Sequence, residues 1–171
     1  MPRRRLWVAL SFISLSLTAC GGYPRYLNFP FDRGGRSLNS PAEENSPQLA
    51  PPFLTFVSDR NGYQGVYVFN IQTRTLETLP GLNALDEVVS HPSISADGRY
   101  LAFSLSRQGK TDIYLYDRQT QQKRNLTADV LGETRRPTLS ADGQRLAFEV
   151  AKDGQWDIIV VDRQGRRLTG P

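Results

Sequence analysis

The sequence is poor in the residues that do chemistry. Its 171 residues include one cysteine, Cys20, and one histidine, His91. A single cysteine excludes an intramolecular disulfide, and one histidine without cysteine partners leaves too few ligands for an ordinary structural zinc site. No Gly-x-Ser-x-Gly turn occurs, so a hydrolase built on a nucleophile elbow lacks its nucleophile. Long apolar runs are missing too: residues 6–17 are short for a membrane-spanning helix. Charge of one sign is scarcely in excess. The chain has 21 basic and 17 acidic residues, and without Arg3, Arg4 and Arg5 the balance is 18 against 17. Such a chain has no electrostatic case for binding nucleic acid.

What is present begins with a leader. Arg3, Arg4 and Arg5 precede the apolar run 6–17, and Leu17-Thr18-Ala19-Cys20 closes it with small residues. This order describes a signal peptide over 1–19. An uncleaved N-terminal helix and an ordinary secretory cleavage near Ala19 are the alternatives. The Leu-Thr-Ala-Cys tetrapeptide resembles the bacterial lipobox, which implies cleavage before Cys20 and attachment of diacylglycerol to its thiol. Two or three acyl chains would hold the protein to membrane lipid firmly. Gly21 rather than aspartate follows Cys20, which leans toward an outer membrane. Residues 20–46 then read as a tether, with Gly-Gly at 21–22 and 34–35 and prolines at 24, 30 and 41. Tyr23, Tyr26, Phe29 and Phe31 are expected to pack on the domain or to lie at the lipid interface.

The remainder, 47–171, repeats with a period of 45 residues, which is the mark of a repeat architecture. The units fall at about 47–91, 92–136 and 137–171. In the second, strands are expected at 93–95, 100–106, 112–117 and 123–127; in the third, at 138–140, 145–150, 157–162 and 166–169. The first unit is looser, with strands at 53–58, 66–69 and 75–79 and Pro51-Pro52 where a turn is expected. The connector 81–91 has room for a helical turn at 84–88. Asp97-Gly98 and Asp142-Gly143 mark tight turns, since glycine tolerates positive φ and aspartate bonds back to local backbone.

The side-chain pattern sets the class. Leu101-Ala-Phe103, Leu146-Ala-Phe148 and Ile158-Ile-Val-Val161 are apolar at consecutive positions and need cover on both faces. No helix of a dozen residues fits between the strands, so sheets must cover sheets. The expected fold is all-β: three four-stranded antiparallel propeller-type blades, forming a partial or oligomer-completed propeller.

The repeated pattern Pro92-Ser-Ile-Ser-Ala-Asp-Gly98, Leu101-Ala-Phe103, Asp112-Ile-Tyr-Leu-Tyr-Asp117 and Leu126-Thr127 returns as Pro137-Thr-Leu-Ser-Ala-Asp-Gly143, Leu146-Ala-Phe148, Asp157-Ile-Ile-Val-Val-Asp162 and Leu168-Thr169. It resembles the WD40-like beta-propeller (PD40) repeat of TolB, and the whole chain is similar to the short TolB-like lipoproteins of cyanobacteria. The resemblance implies a periplasmic or envelope location and a role in binding envelope proteins, without cofactor. The TolB family pattern has an N-terminal α/β domain and six blades. Three units would close by a homodimer completing a six-bladed ring, by capping with the arm at 23–31, or by pairing with another polypeptide. Similar repeats form the propellers of prolyl oligopeptidase-type enzymes, without whose hydrolase domain the resemblance carries no catalysis.

Recurrent aspartates (Asp97 and Asp142, Asp112 and Asp157, Asp117 and Asp162) read as turn residues rather than acid–base pairs, because a catalytic pair is not needed in every copy. Asp59-Arg-Asn-Gly62 and Asp153-Gly154 supply too few oxygens for calcium. His91, before Pro92, reads as a strand-entry residue on a rim. Positions where one copy departs from another are the better partner-binding candidates. Glu149 stands where the second unit has Ser104, and Trp156 where it has Thr111. Arg135-Arg136 and Asp86-Glu87 place opposite charges on the two unit connectors. The function expected is a non-enzymatic protein-interaction module, with small-ligand or glycan binding in the propeller channel as the alternative.

Overall fold

The computed structural model describes residues 32–168. The leader, Cys20 and the aromatic run at 23–31 lie outside these residues. The described chain is built from strands: β1 (Glu44–Ala50), β2 (Phe53–Ser58), β3 (Gly65–Asn70), β4 (Thr75–Leu76), β5 (Val88–Ile94), β6 (Tyr100–Arg107), β7 (Lys110–Asp117), β8 (Gln122–Asn125), β9 (Glu133–Leu139), β10 (Arg145–Lys152) and β11 (Gln155–Asp162). They form three antiparallel sheets, β1-β2-β3-β4, β5-β6-β7-β8 and β9-β10-β11, each a meander in chain order. These are three propeller blades that do not close a ring.

The hairpins follow local chemistry. Gln108-Gly109 and Asp153-Gly154 join the two long strands of blades 2 and 3 with positive φ at both positions, as a two-residue hairpin turn requires. The first strand of every blade carries a bulge before its proline. Ser46, His91 and Arg136 have φ of 51°, 49° and 51°, and the ladder skips a register step there. Proline has no N–H to give a ladder, and the bulge lifts the X-Pro step out of it.

Packing uses both faces of blade 2. Leu101, Phe103, Leu105 and Tyr116 meet Val57, Val66 and Val68 of blade 1, with Leu82 and Val89. Tyr100, Ala102, Ile113 and Leu115, on the opposite face, meet Leu146, Phe148, Val150 and Val161 of blade 3. Consecutive apolar residues thus serve two different cores, each fully buried Leu or Phe contributing about 1.5–3 kcal/mol. Blade-to-blade hydrogen bonds recur with the repeat. The Ile94 N–H donates to Gln48 Oε1 at 2.8 Å, the Leu139 N–H to Ser93 Oγ at 3.0 Å, and the Ala96 N–H to the Ala141 carbonyl at 2.8 Å.

Several boundaries differ from the sequence expectation. The first strands are longer: β5 starts at Val88 and β9 at Glu133, so the last four residues of each connector are strand. In the stretch 84–88, residues 84–87 form a turn, with the Glu87 N–H on the Ala84 carbonyl, and Val88 opens β5, so no helix forms there. β1 begins at Glu44, ahead of the unit boundary at 47, and gives blade 1 its first strand. Blade 3 has three strands: the strand expected at 166–169 is a single bridge between Val161 and Arg167, with the Leu168 N–H on the Val160 carbonyl. The bulge and its proline break the period-two pattern on which strand recognition depends, so these first strands do not announce themselves.

The chain before β1 is held to blade 1 by Asp59, whose Oδ1 accepts the Glu43 N–H at 2.9 Å, and more extensively by Arg60. Arg60 donates to the carbonyls of Gly35 (3.0 Å), Ser37 (2.7 Å) and Leu38 (2.9 Å) and pairs with Glu44 at 3.0 Å. Its guanidinium lies 5.0 Å from the Phe56 ring centre and 4.9 Å from that of Tyr67, and the side chain is only 3% exposed.

Candidate functional site

The face of blade 3 turned away from blade 2 gathers four of the six candidates. Cross-strand register decides this. Glu149 lies opposite Arg135 on β9 and Ile158 on β11; Ala151 lies opposite Glu133 and Trp156; Ala147 lies opposite Thr138 and Val160. Residues directly opposite in a ladder share a face, so all of these project from the same side. Their neighbours Leu146, Phe148, Val150 and Val161 project from the other, into the core against blade 2.

On this face Arg135 Nε donates to Glu149 Oε2 at 2.6 Å, and Arg136 Nη1 reaches Glu149 Oε1 at 3.6 Å. The Arg135 guanidinium lies 3.5 Å from the centre of the Trp156 ring. The hydrogen bond from Arg135, with the charges of both arginines, holds the Glu149 carboxyl below its ordinary range. His91, on the bulge of β5, is lowered by burial and by Arg136, while Glu149 opposes that shift. Tryptophan and arginine are residue types enriched at the hot spots of protein interfaces, whereas glutamate is depleted there, and here it is neutralised by its two arginines.

Asp86 and Glu87 do not join this group. Asp86 pairs with Arg107 at 3.2 Å in an exposed setting. Glu87 is no solvated connector charge: its side chain is 4% exposed, 2.5 Å from Arg107 and 2.6 Å from Lys123, which also donates to the Leu82 carbonyl. It ties the turn after blade 1 to blade 2. Arg135 and Arg136 lie in β9 and on its bulge, not in a connecting loop, which is why they share a ladder with Glu149.

The recurrent carboxylates are built into turns and ion pairs. Asp97 Oδ1 accepts from Ser95 Oγ (2.5 Å) and the Arg99 N–H (3.0 Å), and Asp142 repeats this with Ser140 and the Gln144 N–H. Asp117 holds Arg99 at 2.8 Å and accepts from the Gln119 N–H; Asp162 accepts from Gln164 and Arg166. Asp112 is buried under Thr127 at 3.0 Å, whereas its repeat mate Asp157 is exposed. Gly98 and Gly143 (φ 72° and 65°) each lie beneath an aromatic ring of the preceding blade, Phe53 and Tyr100. That second role for the glycines left no mark in their own repeat, because the aromatic is one blade earlier. A groove of about 280 Å³ between blades 2 and 3, lined by Tyr100, Asp117, Arg124 and Arg163, contains neither Glu149 nor Trp156. Its charges are already engaged: Arg163 on the Tyr100 hydroxyl, Arg124 on the Arg163 carbonyl and Asp117 on Arg99. No cluster of three or more metal-ligating side chains occurs among the described residues.

Solved structures with the same fold include TolB from Acinetobacter baumannii, 28% identical, with TM-score 0.59, matched over 78% of this chain and 34% of that one. A putative TolB from Agrobacterium tumefaciens is 21% identical, with TM-score 0.58, over 76% and 47%. The beta-propeller domain of the Trilobed protease from Pyrococcus furiosus is 13% identical, with TM-score 0.57, over 75% and 42%, and shares the fold alone. The chain thus spans between a third and a half of the length of these structures. A comparison with curated protein sequences gave no match. The three-bladed arc, its aspartate-glycine turns and its two-sided blades agree with the family model that matches residues 35–170, and the chain belongs to that family, PD40, the TolB beta propeller domain.

Proposed function

We propose that this protein is a non-enzymatic, lipid-anchored envelope protein whose propeller blades present a protein-binding surface, the outward face of blade 3. The observation that carries the reading is the Arg135–Glu149–Trp156 cluster, set among Ile158, Val160 and Leu168 on a sheet face that no described residue covers. Monomeric proteins seldom leave such a patch open without an interaction to make. Similarity to TolB supports a periplasmic or envelope location. The leader and the Leu17-Thr18-Ala19-Cys20 tetrapeptide support acylation of Cys20, in the manner of a short cyanobacterial-type TolB-like lipoprotein, and Gly21 after it supports an outer membrane.

Two measurements test this. A photo-crosslinking amino acid at position 158 of the full chain, activated in cells, should trap a protein partner, while one at exposed Leu85 should not. Equal labelling at both positions would overturn the interaction reading. The full chain should partition into detergent, and Cys20→Ser should abolish that; unchanged partitioning overturns the lipid anchor.

A further inference from the structure

The outward face of blade 3 has an internal precedent. Forty-five residues earlier, Ala102, Ile113 and Leu115 occupy the same ladder positions as Ala147, Ile158 and Val160. On blade 2 these residues are 0%, 0% and 4% exposed, covered by blade 3. On blade 3 Ile158 is 67% and Val160 40% exposed. The residue types of a covered face are kept where no described residue covers them.

The face also departs from that precedent in a directed way. Where blade 3 sits on blade 2, Ser104 Oγ accepts the Arg136 N–H at 3.1 Å, and Thr111 lies beside the entering strand, its carbonyl accepting from Thr134. Blade 3 has Glu149 and Trp156 at these positions, the carboxylate paired and the indole under Arg135. A further blade seated as blade 3 is seated would meet an indole in place of a threonine and a carboxylate in place of a hydroxyl. At these two positions the face departs from the one that blade 3 covers, which favours an occupant other than the next blade of a ring.

We infer that this occupant is a second copy of the chain, docked through the same face about a two-fold axis; the inference rests on reading the face as a protein interface. Three observations favour a copy. The face carries both signs, Arg135 and Arg136 with Glu133 and Glu149, so it complements itself when rotated. The apolar strip of Trp156, Ile158, Val160 and Leu168 follows β11, the outermost full strand of its sheet, where two copies can lie side by side. The opposite end of the arc is closed to a head-to-tail partner: Phe56 and Phe69 of blade 1 are buried, and Arg60 straps residues 35–38 across that side. Same-face association is the commonest closed symmetry of homo-oligomers.

The test co-expresses two differently tagged full chains and measures co-purification in mild detergent, with photo-crosslinking from position 158. Co-purification should fall about tenfold or more in Ile158→Arg, the loss expected of a central interface anchor, and persist in Leu85→Arg. The crosslink should land on β10 or β11 of the other copy. Ile158→Thr, which keeps strand propensity, should give an intermediate loss if Ile158→Arg proves unable to fold. No co-purification with a crosslink to a different protein overturns the second copy and leaves the interaction reading standing. No co-purification and no crosslink overturns both. A crosslink to blade 1 of the other copy overturns the two-fold arrangement in favour of a head-to-tail ring.

Discussion

Gly143 lies directly beneath Tyr100: a methyl group added to it would come within 2.7 Å of the tyrosine ring, at a backbone φ of 65°. Gly98 stands in the same relation to Phe53, with 2.2 Å to the ring. Each aspartate-glycine turn is thus the floor on which an aromatic of the preceding blade rests.

Alanine at Gly143 should therefore cost more than its backbone alone. Left-handed φ costs an L-residue about 1–2 kcal/mol, and overpacking a site adds about 1–3 kcal/mol. Tyr100 is not free to swing clear, because Arg163 lies on its ring and holds its hydroxyl. Gly109 has φ of 80° and nothing within 4 Å of an added methyl, so Gly109→Ala isolates the backbone cost. Urea midpoints for the two variants should separate clearly; equal midpoints would remove the stacking role.

Removing the Glu87 carboxylate should unsettle the joint between blades 1 and 2. Breaking a buried pair by deleting one partner costs about 3–5 kcal/mol, and here Lys123, with its side chain 18% exposed, would lose its counter-ion and keep the Leu82 carbonyl as acceptor. Arg107 is half exposed and its share is small. Glu87→Ala should lower the unfolding midpoint far more than Asp86→Ala, whose carboxylate meets only an exposed arginine.

Acid should weaken the domain through Asp117. Its hydrogen bonds from Arg99 hold the folded-state pKa below the ordinary 3.8. A depressed carboxylate contributes stability above its unfolded pKa and loses it as pH falls through the folded value. The stability gap between the wild-type protein and Asp117→Asn should be full at pH 7 and close below about pH 4. Denaturant titrations across that range measure it; a constant gap would show that the charge on Asp117 contributes nothing.

Arg60→Ala should free the segment before β1 while leaving the blades paired. Three carbonyls and Glu44 lose their shared donor together. Limited trypsin digestion should cut at Arg33 and Arg36 sooner in the variant, with the fragment from β1 onward persisting. Unchanged cleavage would mean that the strap is held by other contacts.

The sequence by itself determined the repeat, the two long hairpin strands of blades 2 and 3 and their two-sided apolar cover. A 45-residue period and consecutive apolar residues are local signals that survive without coordinates. It also singled out Glu149 and Trp156, because a departure from a repeat is visible against its other copies. It missed the extent of β1, β5 and β9, whose bulged prolines erase the alternation that marks a strand. Only the tertiary structure put Arg135 and Arg136 into a ladder with Glu149, buried Glu87 between two cations, and left the face of Ile158 open while covering that of Ile113. The physical reason is that a strand's residue types state which faces want cover, whereas which neighbour arrives to cover them depends on how whole blades stack.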